Sequence, residues 1–403
     1  MFVSASEEGA QLNGRPMIPD HIYRIDPGQI FDIASTKPLE ILSLVYPYRE
    51  VLTFLPYAGK KVTKDKPLVS LVIIAKDIEN YIDHCVSSCC IQTYANVEVV
   101  IVVDKSKDET ASRAQAWAAM DRRVKSIVLE KATGPNGARK IGIRAASGSY
   151  LMLLDGDDWI NQDAIELLVE SATRQGADCV AFGFDHHNDR TREMWDQVLP
   201  TSVIVQEGPL FYSKEPHWAL GVANLNHTVW MYFFSSALKH VALDALLDAT
   251  LYEDLPYFLG LIEHANKTTI FNSVLYHYRR ERIGQVTQNW TKVPAGRKVA
   301  ALEVAFNKAF DAMRSDRWFY QLILLYKIER IYLFERRVCR HDGDVEGVLA
   351  WDRSWIRLLA RFPEDIAPLI TYPATQKRFI EARRPLKRAI MFNRRAKRLR
   401  NPK

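Results

Sequence analysis

The sequence predicts an α/β protein with a mostly parallel sheet flanked by helices, followed by a helical region. Three observations carry this. Apolar strands alternate with helical patterns from Pro67 to Asp158, as in sheets covered on both faces. One strand runs straight into an acidic turn, "YLMLLDGDDWI" at Tyr150–Ile160. From Gly296 onward the apolar period becomes helical.

Val69–Ala75 ("VSLVIIA") is a continuous apolar run and reads as a buried strand. Glu79–Gln92 places Tyr81, Ile82, Cys85, Val86, Cys89 and Cys90 at helical spacing. Val97–Val103 ("VEVVIVV") is a second strand ending at Asp104, and Glu109–Met120 is an Ala-rich helix. Val124–Leu129 is a third strand, Gly137–Ala146 a short helix, and Tyr150–Leu154 a fourth strand. Polar residues follow two of these strands, at Asp104–Asp108 and Asp155–Asp158. Ligands of open α/β sheets lie beyond the carboxyl ends of strands, so these turns mark the expected binding edge.

Asp155, Asp157 and Asp158 repel one another unless a cation sits among them. Mg²⁺ or Mn²⁺ takes oxygen ligands, typically one or two carboxylates plus substrate phosphates. A metal–diphosphate substrate is the expected occupant; an acidic loop or helix N-cap is the structural alternative.

Composition sets bounds on the rest. The chain of 403 residues is 48% apolar and 25% charged, as in globular proteins of two or three units. The opening "MFVSASEEGAQLNG" does not read as a secretory signal. No run reaches the roughly 18 apolar residues of a membrane span, and a cytoplasmic location is expected. The five cysteines lack zinc-site spacing and read as reduced thiols. Lys377–Lys403 holds twelve Lys/Arg and one acid, Glu381, so the other 376 residues carry −5 of the net +6. This basic tail, with Leu386, Ile390, Met391, Phe392 and Leu399 interspersed, suits an anionic membrane surface at the inner face of the cell membrane. Nucleic-acid binding and a solvated end are the other readings.

The ordered motifs resemble family-2 glycosyltransferases with a GT-A fold. "VSLVIIAKD", Gln92-Thr93-Tyr94-Ala95-Asn96-Val97-Glu98, "VDKSKDET", Gly134–Ile143 and Gly148–Trp159 follow that family's succession. Departures are Ile74 and Asp77 in the first motif, Lys105 after Asp104, and Lys140 after Arg139. The resemblance implies a GT-A (Rossmann-like) mixed, mostly parallel sheet and a Mn²⁺ or Mg²⁺ cofactor. Ile74, Ala75 and Asp77 would flank the nucleotide, Asp104 would accept from the base, and Arg139 would approach base and ribose. Asp155 and Gly156 would lie at the ribose and metal, with Asp157 the principal metal ligand.

For the acceptor half, the resemblance makes Glu253-Asp254 the catalytic pair, with Asp254 the general base; helix-start acids are the alternative. Trp230 would stack on a sugar or nucleotide, or else fill the core. The resemblance puts His277, Arg279 and Arg282 where metal and diphosphate would be reached; an ordinary half-buried strand is the alternative. Asp185-His186-His187-Asn188-Asp189 reads as a variable loop.

The expected organisation is an N-terminal extension packed on the catalytic domain (1–66), a nucleotide half (67–185), an acceptor half (186–290), a helical domain (291–376) and the basic tail (377–403). The expected activity is metal-dependent, inverting transfer of a hexosyl or N-acetylhexosaminyl group. The donor would be a nucleotide sugar, UDP-linked first, and the acceptor a hydroxyl of a surface polysaccharide or lipid-linked oligosaccharide. A nucleotidyltransferase and a non-catalytic transferase-like scaffold are the rivals.

Overall fold

A computed structural model describes residues 66–188, 223, 225–248, 251–280, 292–313, 318–371 and 373–383. It also gives the backbone course of short strands between Phe2 and Phe54 and at Met194–Val198. The former make two small antiparallel sheets. Arg282 and the tail beyond 383 lie outside the described residues.

The donor half follows the sequence pattern. Strands β1 (Val69–Ala75), β2 (Val97–Val103), β3 (Val124–Val128) and β4 (Tyr150–Asp155) pair in parallel in the order β3-β2-β1-β4. Every residue of β2 is buried, as a strand with no polar face requires. Helices α1 (Ile82–Cys90), α2 (Thr110–Met120) and α3 (Gly134–Ala145) make the connections. At Gly142 a Cβ would lie 2.3 Å from Val72 Cγ1, so only glycine lets α3 approach β1 this closely.

Beyond β4 the strand directions mix. β5 (Trp159–Ile160) leads into α4 (Ala164–Gln175), then β6 (Cys179–Asn188) and β7 (Met194–Val198). Next come β8 (Tyr232–Ser235), α5 (Lys239–Ala245), α6 (Asp254–His264) and β9 (Thr268–Arg280). The full order is β3-β2-β1-β4-β8-β6-β9-β5, with β7 on β6. β8 is antiparallel to β4 and β6, whereas β6 and β9 run parallel. Asp185–Asn188 belongs to β6, which corrects the loop expected there: pairing to His277–Arg280 extends the strand through these residues.

The expected helical region is present as α7 (Ala295–Ala312), α8 (Trp318–His341), α9 (Val345–Leu359) and α10 (Pro373–Arg383). No helix among the described residues is long and apolar enough to cross a membrane.

The Gln92–Glu98 motif is consumed in scaffolding. Gln92 donates to the Ser88 and Asn161 carbonyls and accepts from the Ile165 N–H. Tyr94 donates to the Pro67 carbonyl at 2.6 Å. Glu98, 5% exposed, accepts from Ser70 Oγ at 2.6 Å, Ser147 Oγ at 2.8 Å and Lys125 Nζ at 2.7 Å. One carboxylate thus ties β1, β2 and β3 to the turn entering β4. Burial alone would raise its pKa; the bonds from Lys125, Ser70 and Ser147 prevail and lower it to about 2.

The stabilisation from Glu98 is present above the unfolded-state pKa near 4.5 and is lost as pH falls towards 2. It amounts to about 3 kcal/mol. Glu98→Gln should lose about that much at pH 7 in urea denaturation and show a shallower stability loss between pH 5 and 2 than the parent chain.

Candidate active site

The first two strand-end loops are clipped together. Asp77 has φ of +50°; its N–H donates to Ser106 Oγ at 3.1 Å and its Oδ1 accepts from the Lys107 N–H at 2.7 Å. The Ile78 N–H donates to Thr110 Oγ1, and the Glu79 N–H to Asp108 Oδ2. Asp104 lies behind this clip, buried, and accepts from the N–H groups of Thr133 at 2.9 Å and Gly134 at 3.1 Å. Lys76 Nζ is 3.5 Å from Asp104 Oδ2. Burial alone would raise the Asp104 pKa; the Thr133, Lys105 and Gly134 N–H groups and the Lys76 charge hold it below the usual carboxylate range. Asp104 therefore anchors the start of α3, and its carboxylate keeps further lone-pair directions for a donor.

The acidic turn is pinned from behind. A Cβ on Gly156 would fall 2.7 Å from Ile78 Cδ1 and 2.8 Å from the Ile74 carbonyl oxygen, which already accepts the Gly156 N–H. Only glycine permits that approach, and it holds the turn against the end of β1, beside Ala75. Asp158 is buried; it accepts from Tyr276 Oη at 2.6 Å and the Arg279 N–H at 2.8 Å. Burial, then the charges of Asp157 and Asp155, push its carboxyl well up. The third carboxylate is thus a buried brace, which leaves Asp155 and Asp157, both half-buried, at the edge.

Arg139 joins the two halves of the molecule. Its guanidinium is buried and donates to Asp155 Oδ1 at 2.7 Å and Asn136 Oδ1 at 2.8 Å. Burial alone would loosen its proton; the charges of Asp155, Asp254 and Glu253 outweigh burial and tighten it. Burial also raises the Glu253 carboxyl, with Asp155 adding and Arg139 opposing. Asp254 is pushed up to about 8 by burial and then by Glu253, while Arg139 and the Val229 N–H oppose this. Donor and acceptor elements therefore converge on one charge cluster. Two donors at this junction, Arg139 Nε and Tyr257 Oη, are buried without a hydrogen-bond partner among the described residues. Buried donors of this kind are ordinarily satisfied by ordered water or ligand.

Among the described residues no three His, Cys, Asp or Glu side chains form a ready-made metal site. A Mg²⁺ or Mn²⁺ ion shared with a diphosphate needs only one or two carboxylates. Asp155, whose Arg139 bond uses Oδ1, and Asp157 are hard oxygen ligands that fit this requirement.

Two expectations are corrected, and of the two readings of Trp230 the structure takes the core one. His277 has Nδ1 at 2.8 Å from Asp185 Oδ1 and Nε2 at 2.7 Å from Asn161 Oδ1. Asn161 Nδ2 donates to the Val274 carbonyl, which orients its oxygen towards the ring. Both ring nitrogens thus face acceptors, and neither is presented to a metal. Arg279 is buried: Nε donates to the Asp157 carbonyl at 2.8 Å, and the guanidinium lies 4.7 Å from the Trp159 and 5.1 Å from the Tyr81 ring centroids. It braces the acidic turn from behind instead of reaching phosphate. Trp230, 4% exposed, stacks on Tyr276 at 4.3 Å with the planes 5° apart. It is core, because the ring is packed within an aromatic cluster that also holds Phe184 and Tyr278.

Sequence reasoning missed Asn136, Asn161, Asp185 and Tyr276, whose bonds orient the functional groups. It also missed Tyr252, a bulky residue at φ +57° immediately before Glu253. Such a conformation costs on the order of 1–3 kcal/mol and persists only where surroundings enforce it. No residue pattern signals it.

The profile described as Glycosyl transferase family 2 matches residues 70–241. That stretch is a family-2 glycosyltransferase domain. "Uncharacterized glycosyltransferase EpsJ" of Bacillus subtilis (strain 168) is 28% identical over 216 residues, 53% of this chain and 61% of that protein. "Glycosyltransferase GlyA" of Streptococcus pneumoniae serotype 4 is 28% identical over 235 residues, 56% of this chain and 32% of that protein. The chain thus matches less than two thirds of either relative's length. Among solved structures, S. aureus TarS 1-349 in complex with UDP-GlcNAc superposes with a TM-score of 0.64 at 17% identity, over 83% of this chain and 91% of that one. The likeness establishes the GT-A-like fold.

Replacing Arg139 by Met leaves Asp155, Glu253 and Asp254 without their buried cation. The cost should be about 3–5 kcal/mol at pH 8. It should shrink towards pH 5, where Asp254, raised to about 8, takes up its proton. Urea denaturation at both pH values measures the difference.

Proposed function

We propose that this chain transfers a sugar from a UDP-linked donor to an acceptor hydroxyl, with inversion and with a divalent cation at Asp155 and Asp157. The observation that carries the reading is the convergence of Asp155 and Arg139, inside the matched family-2 stretch, with Asp254, which follows it. The complex of TarS with UDP-GlcNAc supports UDP-linked sugars as the first donors to try. Asp104 and Lys76, paired at 3.5 Å at the ends of β2 and β1, would read the base. The name of one relative supports a polysaccharide acceptor: "Succinoglycan biosynthesis protein ExoO" of Rhizobium meliloti (strain 1021) is 36% identical over 119 residues, 30% of this chain and 34% of that protein.

Asp155 and Asp157 would hold the metal, and the Arg139 bond holds the Asp155 carboxylate in place. When bound, the cation supplies Lewis-acid stabilisation of charge on the departing nucleoside diphosphate. Asp254 takes the proton of the attacking hydroxyl as the new glycosidic bond forms and the sugar–phosphate bond breaks. A base of pKa about 8 is a strong enough acceptor to assist while still ionisable near neutral pH. Glu253 contributes by its charge, which helps to raise Asp254.

Calorimetry with UDP and Mn²⁺ tests the donor half: binding should be metal-dependent and lost in Asp157→Ala, whereas no binding under any condition would sink the reading. Asp254→Asn should keep UDP binding and lower kcat by about 10²- to 10⁴-fold. The wild-type rate should rise with pH through about 8 and level off above it, since only the ionised Asp254 accepts a proton.

A further inference from the structure

We propose that Tyr252, Glu335 and Lys298 form a positioning relay through which the C-terminal helices deliver the Glu253–Asp254 pair to the transfer site. The proposal rests on the reading of Asp254 as proton acceptor. Asp254 opens α6, and the Glu253 side chain makes no capping bond there. The turn is held instead through Tyr252. Its ring is 8% exposed and its hydroxyl donates to Glu335 Oε1 at 3.2 Å. The other oxygen of Glu335 accepts from Lys298 Nζ at 2.8 Å. Lys298 comes from α7 and Glu335 from α8, with side chains 5% and 2% exposed.

Each link has a physical reason. A tyrosine in the left-handed region stays there only if its surroundings hold it. The buried hydroxyl needs an acceptor, and the buried acceptor is a carboxylate that needs a cation. Removing one partner of a buried ion pair strands the other charge, so Lys298 and Glu335 hold each other in place. The relay fixes the backbone of the turn, while the Val229 N–H fixes the Asp254 carboxylate. Tyr252, Glu253, Asp254, Lys298 and Glu335 all lie beyond residue 241, where the family match ends. The base and the relay that holds its turn thus come from beyond the match, and only the Val229 N–H on its carboxylate comes from within it.

The test uses the full chain, Mn²⁺ and whichever UDP-sugar of a panel releases UDP fastest with the wild type. Tyr252→Phe keeps the ring and removes the hydroxyl; Tyr252→Gly also frees the backbone. Both should lower kcat about 10- to 100-fold while UDP affinity and donor KM stay within about twofold. Lys298→Met combined with Glu335→Leu removes the acceptor of the Tyr252 hydroxyl together with its buried cation. It should lower kcat about as much as Tyr252→Phe, again with UDP affinity within about twofold of wild type. Thermal unfolding of each variant checks that it is folded. Wild-type kcat in Tyr252→Phe and Tyr252→Gly would overturn the relay and leave the assignment of Asp254 standing. A wild-type chain that neither binds UDP nor releases it from any UDP-sugar would instead overturn the underlying reading.

Discussion

A buried guanidinium is costly in a protein interior unless opposite charge surrounds it, and Arg139 is surrounded by Asp155, Asp254 and Glu253. Asp155 ends the fourth strand of the parallel half, while Asp254 starts a helix in the mixed half. The cation therefore ties together two parts of the chain about a hundred residues apart in sequence and explains why their carboxylates tolerate one another. It also divides their labour. Asp155 is bonded directly to Arg139, whereas Asp254 feels the same cation but is dominated by burial and Glu253. One carboxylate is fixed in place by a direct bond to the guanidinium; the other is raised to about 8.

Around this centre, polar residues sort by whether their bonding capacity is spent. Asp158, Arg279 and His277 look like catalytic groups by type, yet each is committed to neighbours: Tyr276, the Asp157 carbonyl, and the Asp185 and Asn161 side chains. Together they form the rigid floor on which Asp157 sits. Precise placement of ligating carboxylates depends on such outer partners.

The strand and helix order of residues 67–158 was legible because burial on both faces writes itself as unbroken apolar runs. The acidic turn was legible because three carboxylates at a strand end have few structural uses. Trp230, Arg279 and His277 were not, since spacing places a residue near an edge without saying whether its face or its donors are already taken. Glu98 belonged to a recognised motif, but its role is scaffolding, set by Ser70, Lys125 and Ser147 from three separate segments. The Tyr252 conformation was invisible because backbone strain leaves no compositional trace.

The central claim is that Asp155, Asp157 and Asp254 face one substrate. A crystal structure of the protein with UDP and Mn²⁺ tests it most directly. The account predicts the metal on the Asp155–Asp157 turn and the diphosphate on the side of that turn facing Asp254. UDP bound elsewhere, or a metal held by other residues, would contradict it.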